Sequence, residues 1–139
     1  MIILGSRPHP SLQKYAGNRV VITGFVDDIR PYFQHSLCLV APLILGAGVK
    51  IKIIESLTAG LPILTNDIGI EGIPAEDGKS YYHCNTPDDY IEKIQFLLHN
   101  KSYAKVMSDN EKKLADEIYD YDKSLEIFVK KVTDMAFKE

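Results

Sequence analysis

Short runs of apolar residues alternate along the chain with longer segments in which apolar and polar residues recur at helical spacing. Five runs are rich in Val, Ile, Leu or Tyr, and most end at Gly, Pro or Asn, which predicts β-strands. These strands are predicted at residues 2–5, 20–25, 37–42, 62–65 and 81–84. Because the runs are almost continuously hydrophobic, we expect strands that are covered on both faces, as is typical of parallel sheets.

Helices are predicted in the segments between and after these strands. They are expected at about 10–16, 27–34, 48–59, 86–100, 102–118 and 122–137. The helix at 86–100 has the clearest start, with Thr86 as N-cap and Pro87 at the first position. Its predicted apolar stripe consists of Ile91, Ile94, Leu97 and Leu98. The alternation of strands and helices predicts an α/β fold, a doubly wound parallel sheet of about five strands with flanking helices.

Composition narrows the class of protein. A chain of 139 residues forms one domain at most, and its net charge of −3 shows no basic stripe of the kind that binds nucleic acid. Cys38 and Cys84 provide neither a disulfide framework nor a metal-ligand set. No signal peptide and no apolar run of about 20 residues is present. The cytoplasm is the expected compartment, and peripheral membrane association stays open for a full-length protein.

A candidate site follows from the predicted topology, because ligands of doubly wound sheets bind at the carboxyl ends of the strands. The stretch "GAGVKIKIIESLTAG", residues 46–60, begins at one such end. Its glycines precede a predicted helix whose first amides, at about Gly48 to Lys50, could hold a phosphate. Lys50 could add a positive charge, and Glu55, one turn further, could accept hydrogen bonds from two hydroxyl groups, as in a ribose.

The same stretch also suits a purely structural helix. At helical spacing Ile51, Ile53, Ile54 and Leu57 share a face that should pack on the sheet, and Lys52, Glu55, Ser56 and Ala59 lie on the other face. A solvated Lys52–Glu55 pair would then explain the charges. The chain has no Walker-type spacing and no GxGxxG fingerprint, so the residues alone leave both interpretations open.

Several spaced motifs together carry a resemblance to a known family. They are the "GFVDD" turn, the "APL" strand end, "GAGVKIKIIE" with the following "AGLP", and the "TNDIGIEG" loop, all within residues 20–73. This order resembles the C-terminal, donor-binding half of GT-B glycosyltransferases of the group 1, retaining, family 4-like type. The match is close over about 20–100 and looser beyond.

The resemblance implies a nucleotide-sugar substrate, either a UDP-, GDP- or ADP-sugar, with no cofactor and no metal. It implies a glycan or lipid-linked acceptor and a role in polysaccharide or glycolipid synthesis. Glu55 would hold the ribose hydroxyls, and Phe25 and Val26 would lie beside the base. The phosphates and the donor sugar would be contacted by Gly5, Ser6, Arg7, Gly46, Ala47, Gly48, Val49 and Lys50. No catalytic residue is assigned to this chain.

Two departures from the family pattern matter. Many members carry a sugar-contacting glutamate at the position of Ala47, so the sugar cannot be named.

The second departure is length. In the family, the donor-binding half begins with a further strand and helix, and an acceptor domain precedes that half. We therefore expect residues 1–139 to be a single partial domain that is inactive alone. Its sheet would be completed by another copy, by strand swapping or by closing two neighbouring strands.

Two rival functions remain at this stage. One is a non-catalytic nucleotide-binding or scaffold module of the same fold. The other is an unrelated doubly wound domain of the receiver or flavodoxin type. The receiver version needs an acidic cluster after the first strand, and "IILGSR" supplies none.

Overall fold

A computed structural model of the chain describes residues 1–136. It confirms an α/β fold with parallel strands flanked by helices. The chain divides into two compact units, Met1–Tyr32 and Phe33–Glu139. The five strands form a two-stranded and a three-stranded sheet, whereas the sequence predicted one sheet. Each sheet is built from strands that follow one another along the chain. Completion of a larger sheet by another copy or by strand swapping stays a prediction.

The first unit contains strands β1 (Ile2–Leu4) and β2 (Val21–Gly24), which pair in parallel. A short 3-10 helix, Pro10–Tyr15, lies between them where an ordinary helix was predicted. The division between the units falls within helix α1 (Arg30–Gln34), which begins later than the predicted residue 27. The Asp28 carboxylate accepts a hydrogen bond from the Arg30 amide at 2.9 Å, which satisfies a free N–H at the start of the helix.

The second unit contains the three-stranded sheet and the other helices. Strands β3 (Leu39–Ala41), β4 (Ile63–Thr65) and β5 (Tyr82–His83) are parallel, and β4 lies in the centre. The helices are α2 (Ile51–Ala59), α3 (Asp67–Ile70), α4 (Pro87–His99), α5 (Lys101–Ile118) and α6 (Tyr121–Ala136).

The core of this unit is built on both faces of β4. Ile63 packs in a cluster with Ile53 and Leu57, whereas Leu64 packs in a second cluster with Leu97. Consecutive strand residues point to opposite faces, so the two clusters cover opposite sides of the sheet. The predicted burial of both faces is therefore confirmed for this strand.

Helix α4 begins at the residue that the sequence predicted. The Thr86 hydroxyl accepts from the Asp89 amide, and the Asp89 carboxylate accepts from the Thr86 amide, which forms a capping box. The predicted apolar stripe is only partly right. Leu97 is buried and Ile94 half-buried, but Ile91 and Leu98 are exposed, and Tyr90 supplies the other buried contact.

Helix α6 presents its apolar side chains to the surroundings. The described side chains of this helix are all exposed, among them those of Leu125, Phe128, Val129 and Val132. The helix is amphipathic and 16 residues long. Within residues 1–136, no helix combines the length and the hydropathy needed to span a bilayer.

A buried acid on α5 supports the central strand. The fully buried Glu111 side chain accepts a hydrogen bond at Oε1 from the Ile63 amide at 3.1 Å. Among the residues that the structure describes, its Oε2 atom has no hydrogen-bond partner. Burial raises the pKa of Glu111 to about 9, and the single amide donor offsets this only in part. Glu111 is therefore protonated at neutral pH.

This pKa predicts that the free energy of unfolding falls as the pH rises. Glu111 titrates near 4.5 when unfolded and at about 9 when folded. Between these values the folded state keeps a proton that the unfolded state has released, so each pH unit costs at most about 1.4 kcal/mol. Glu111→Gln keeps an oxygen acceptor for the Ile63 amide and removes the titration. We therefore expect a flatter pH dependence in urea unfolding between about pH 5.5 and about pH 8.5.

Glu117→Gln provides the matched control, because Glu117 is an exposed acid on the same helix. This variant should retain the slope of the unsubstituted chain. Equal slopes for Glu111→Gln and the unsubstituted chain would show that Glu111 is already ionised in the folded state.

Candidate functional site

The loop between β3 and α2 owes its shape to two glycines. Gly46 has φ of 138° and Gly48 has φ of 69°, a region of backbone conformation that favours glycine. A Cβ atom at Gly48 would meet no other atom within 4 Å, so the backbone angle rather than crowding explains this glycine. Lys50 is extended, with φ of −96° and ψ of 116°. The helix therefore begins at Ile51 and not at the predicted residue 48.

The free amides at the start of α2 shift accordingly. Both Ile53 and Ile54 donate to the Lys50 carbonyl, at 2.9 and 3.2 Å. Ile51 and Lys52, in the first turn, have no intrahelical acceptor for their N–H groups. These donors were predicted at about Gly48 to Lys50 and lie instead just after the glycine loop. They lie at the positive end of the helix dipole, which favours an anion.

The faces of α2 differ from the helical-wheel prediction at two positions. Ile51 was expected to pack on the sheet but is 73% exposed, because it is the first residue of the helix. Ser56 was expected on the outer face but is fully buried, and its hydroxyl donates to the Leu61 carbonyl at 2.8 Å. A hydroxyl hydrogen-bonded in this way can be buried at little cost.

Glu55 lies on the outer face of α2, as predicted, and is exposed. Lys52 is exposed as well. In the part of the chain that the structure describes, the two side chains do not form an ion pair. The structural interpretation of this helix predicted a solvated Lys52–Glu55 pair, but the Glu55 carboxylate is not bound by Lys52. It can therefore accept hydrogen bonds from a ligand.

Lys50 is folded back onto the loop that precedes it. Its Nζ atom donates to the Gly48 carbonyl and forms an ion pair with Glu71 Oε2 at 3.3 Å. The Lys50 side chain is only 11% exposed, whereas that of Glu71 is 51% exposed. The ammonium that the sequence suggested as a point charge for a diphosphate therefore already has a carboxylate counter-ion.

The role of Glu71 as the partner of Lys50 was not predicted from the sequence. The residue follows β4 in the "TNDIGIEG" loop, and the carboxyl ends of β3 and β4 meet at one edge of the sheet. The sequence did contain a signal for this pair, namely an acid on one of these loops and a basic residue on the neighbouring loop. Sequence spacing does not specify which of the nearby charges meet.

The loops after β3 and β4 are also joined by polar and packing contacts. The Thr65 hydroxyl donates to the Ala41 carbonyl at 2.8 Å, and the Asn66 amide group donates to the Leu43 carbonyl at 2.6 Å. Gly72 lies so close to the loop that an added Cβ would be 2.9 Å from Val49 Cγ2. These contacts fix the course of the glycine loop relative to α3.

Helix α3 lies against the end of β4 with no room between them. A Cβ atom added to Gly69 would lie 1.8 Å from the Thr65 hydroxyl oxygen. The same turn is capped by the Asn66 side chain, which accepts from the Gly69 amide at 3.2 Å. Glycine is therefore required here because of close approach.

The end of β5 completes this edge of the sheet. His83 Nε2 lies 2.9 Å from Asp67 Oδ1, and the Asp77 carboxylate accepts from the His83 amide at 2.8 Å. His83 is thereby hydrogen-bonded to an acid at the start of α3 and to another on the segment before β5. Residues 1–136 contain no group of three or more His, Cys, Asp or Glu side chains that could hold a metal ion.

The first unit holds the other predicted site residues. The Gly5 amide donates to the Gly24 carbonyl at 3.1 Å, which joins the loop after β1 to the end of β2. Gly5, Ser6 and Arg7 are exposed, as is Phe25, and Val26 is half-buried. The loops are thus open to a ligand.

Arg7 has an unusual backbone conformation. Its φ of 56° places it in the left-handed region, which residues with a Cβ rarely adopt. Such a conformation costs on the order of 1–3 kcal/mol and is retained where surrounding structure imposes it.

The fold of the chain is that of known glycosyltransferase structures. HepE of Anabaena, solved in complex with UDP, is 15% identical, with a TM-score of 0.80 over 96% of this chain. A glycosyltransferase from Rickettsia africae is 16% identical, with a TM-score of 0.79 over 99% of this chain. This chain spans 40% of the length of each of those two chains.

A third similar structure is the pneumococcal O-GlcNAc transferase GtfA in complex with UDP and GlcNAc. It is 18% identical, has a TM-score of 0.67, and the match covers 99% of this chain and 29% of GtfA. At these identities the likeness shows the fold alone. No curated protein sequence is significantly similar to the chain.

The larger part of the sequence shows the family of the chain. The model of the family "Glycosyl transferases group 1" matches residues 1–100, which is most of the chain and includes β1 to β5, Gly5 and the Gly46–Gly48 loop. The chain therefore belongs to the group 1 glycosyl transferases.

Proposed function

We propose that this chain forms the nucleotide-sugar-binding part of a glycosyltransferase. The complete reaction would transfer a sugar from a UDP-, GDP- or ADP-sugar to a glycan or lipid-linked acceptor and release a nucleoside diphosphate. Membership of the family supports the reaction class. Structures of similar fold support a nucleotide-sugar, since HepE was solved with UDP-glucose and GtfA with UDP and GlcNAc.

The observation that carries this proposal is the exposed carboxylate of Glu55 one turn beyond the free amides of α2. One helical turn spans about 5.4 Å, a separation that suits a diphosphate and the adjoining ribose. The amides of Ile51 and Lys52 would bind the diphosphate, and the Glu55 carboxylate would accept hydrogen bonds from the two ribose hydroxyls.

These groups would assist the reaction by stabilising the leaving group. Negative charge grows on the diphosphate as the bond to the sugar breaks. Fixed amides and the helix dipole can stabilise that charge without reorganising. Glu55 would position the donor, which lowers the entropy cost of reaching the reactive geometry.

The predicted site residues of the first unit belong to the same proposal. Gly5, Ser6 and Arg7 would lie near the phosphates, and Phe25 and Val26 beside the nucleobase. In the second unit, the backbone of Gly46, Ala47, Gly48 and Val49 would border the donor sugar, with Lys50 near the diphosphate. The glycine conformations of Gly5 and Gly48 support a role in which a backbone approaches a ligand closely.

A cytoplasmic location is also proposed. Cys38 and Cys84 are both free thiols. Burial raises the pKa of each thiol to about 11, so neither is ionised at neutral pH. Unpaired thiols are usual in proteins of a reducing compartment.

Replacing Glu55 tests the ribose contact. We expect the chain to bind at least one of UDP, GDP and ADP in a calorimetric titration, and Glu55→Ala to weaken that binding. Loss of two hydrogen bonds to a carboxylate should cost roughly 1.5–3 kcal/mol, or about 10- to 150-fold in Kd.

Glu117→Ala is the control for this titration, since Glu117 is an exposed helical acid on α5, away from the glycine loop in sequence. Its Kd should match that of the unsubstituted chain. Equal affinities for Glu55→Ala and the unsubstituted chain would remove Glu55 as the ribose ligand.

The separation of binding from transfer gives a further prediction. The chain spans 40% of the HepE chain, and we expect the purified 139 residues to bind nucleotide without transferring sugar. Incubation with UDP-, GDP- and ADP-glucose, followed by chromatography of the nucleotides, should show no release of nucleoside diphosphate above the rate without protein. Turnover that disappears in Glu55→Ala would contradict this expectation.

A further inference from the structure

The Lys50–Glu71 ion pair ties the glycine loop to the segment after α3. The Lys50 ammonium meets the Gly48 carbonyl on one side and the Glu71 carboxylate, at 3.3 Å, on the other. Lys50 thereby links the backbone of its own loop to a residue 21 positions further along the chain. The link crosses from the carboxyl end of β3 to that of β4.

The burial of Lys50 distinguishes this pair from an ordinary surface ion pair. Exposed pairs contribute little to stability, because water screens them and both side chains lose freedom. Here the lysine side chain is only 11% exposed. Removal of the carboxylate would leave the charge of this largely buried side chain without a counter-ion among the described residues, so the side chain would leave its place.

Displacement of the Lys50 side chain would change the conformation of the glycine loop. A Cβ atom added to Gly46 would be 3.1 Å from Lys50 Cε, so the lysine stem packs directly on the Gly46 backbone. The lysine stem therefore contacts Gly46, and its ammonium holds the Gly48 carbonyl by a hydrogen bond. Those two residues lead directly into the free amides of Ile51 and Lys52.

We propose that Glu71 is a positioning residue for nucleotide binding, which acts through Lys50 to hold the Gly46–Gly48 loop and the start of α2 in their binding conformation. This inference rests on the proposed function, because the nucleotide is the ligand whose affinity the loop would set. The carboxylate also neutralises the Lys50 charge, so binding of the diphosphate depends on backbone amides whose positions Glu71 maintains.

The test compares Glu71→Gln, Lys50→Met and the double variant with the unsubstituted chain. UDP, GDP and ADP are titrated against each, and hydrogen exchange of the amides at residues 46–52 is measured without nucleotide. We expect Glu71→Gln to weaken nucleotide binding on the order of tenfold, the effect of losing one charge-assisted hydrogen bond. The double variant should bind no more weakly than Lys50→Met, because Glu71 acts through that lysine.

Glu76→Gln is the matched control, since Glu76 is an exposed acid of the same unit, paired with Lys79 at 2.6 Å. It should leave both the Kd and the exchange of residues 46–52 unchanged. Faster exchange at these amides in Glu71→Gln, but not in Glu76→Gln, is the expected result in the free chain.

The outcomes separate this inference from the proposed function. If Glu55→Ala weakens binding and Glu71→Gln does not, the positioning role is wrong and the nucleotide site stands. Tighter binding by Glu71→Gln would show instead that Glu71 competes with the diphosphate for Lys50, which also overturns the inference. If the unsubstituted chain binds none of the nucleotides, the proposed function fails, and unchanged exchange in Glu71→Gln would then refute the positioning of the loop as well.

Discussion

The second unit depends on the burial of β4. Ile63 and Leu64 are fully buried on opposite faces, so the helices on both sides of the sheet are fixed by the same three-residue strand. Glu111 on α5 adds a direct hydrogen bond to the Ile63 amide. The carboxyl end of β4 then fixes the site, because Thr65 and Asn66 donate to carbonyls on the segment that leads to the glycine loop. The position of that loop is thus set by the core.

Much of this arrangement could be predicted from the sequence. The five strands lie within the predicted runs, and α4 begins at Thr86 because its capping residues act locally. The start of α2 was placed too early because glycines preceding a helix can belong to either the loop or the first turn. Ser56 was placed on the wrong face, since a buried hydroxyl depends on a carbonyl, that of Leu61, whose position only the folded chain defines.

Prediction from the sequence has the same limit at the candidate site. Exposure of Glu55 follows from helical periodicity, which the sequence contains. The pairing of Lys50 with Glu71 does not, because it depends on the register of β3 against β4. That contact changes the chemistry attributed to the loop. A lysine beside a phosphate site suggests a mobile positive charge, whereas here the largely buried Lys50 side chain is hydrogen-bonded to its own loop and paired with Glu71.

The packing of Gly69 on Thr65 has a consequence for how this sequence can vary. Any side chain at position 69 would overlap the Thr65 hydroxyl, whose hydrogen bond to the Ala41 carbonyl joins the end of β4 to the end of β3. Replacing Thr65 by a smaller residue would relieve the overlap but remove that hydrogen bond. Positions 65 and 69 are therefore expected to change together in related sequences, as a Thr–Gly pair exchanged as a unit, and not one at a time.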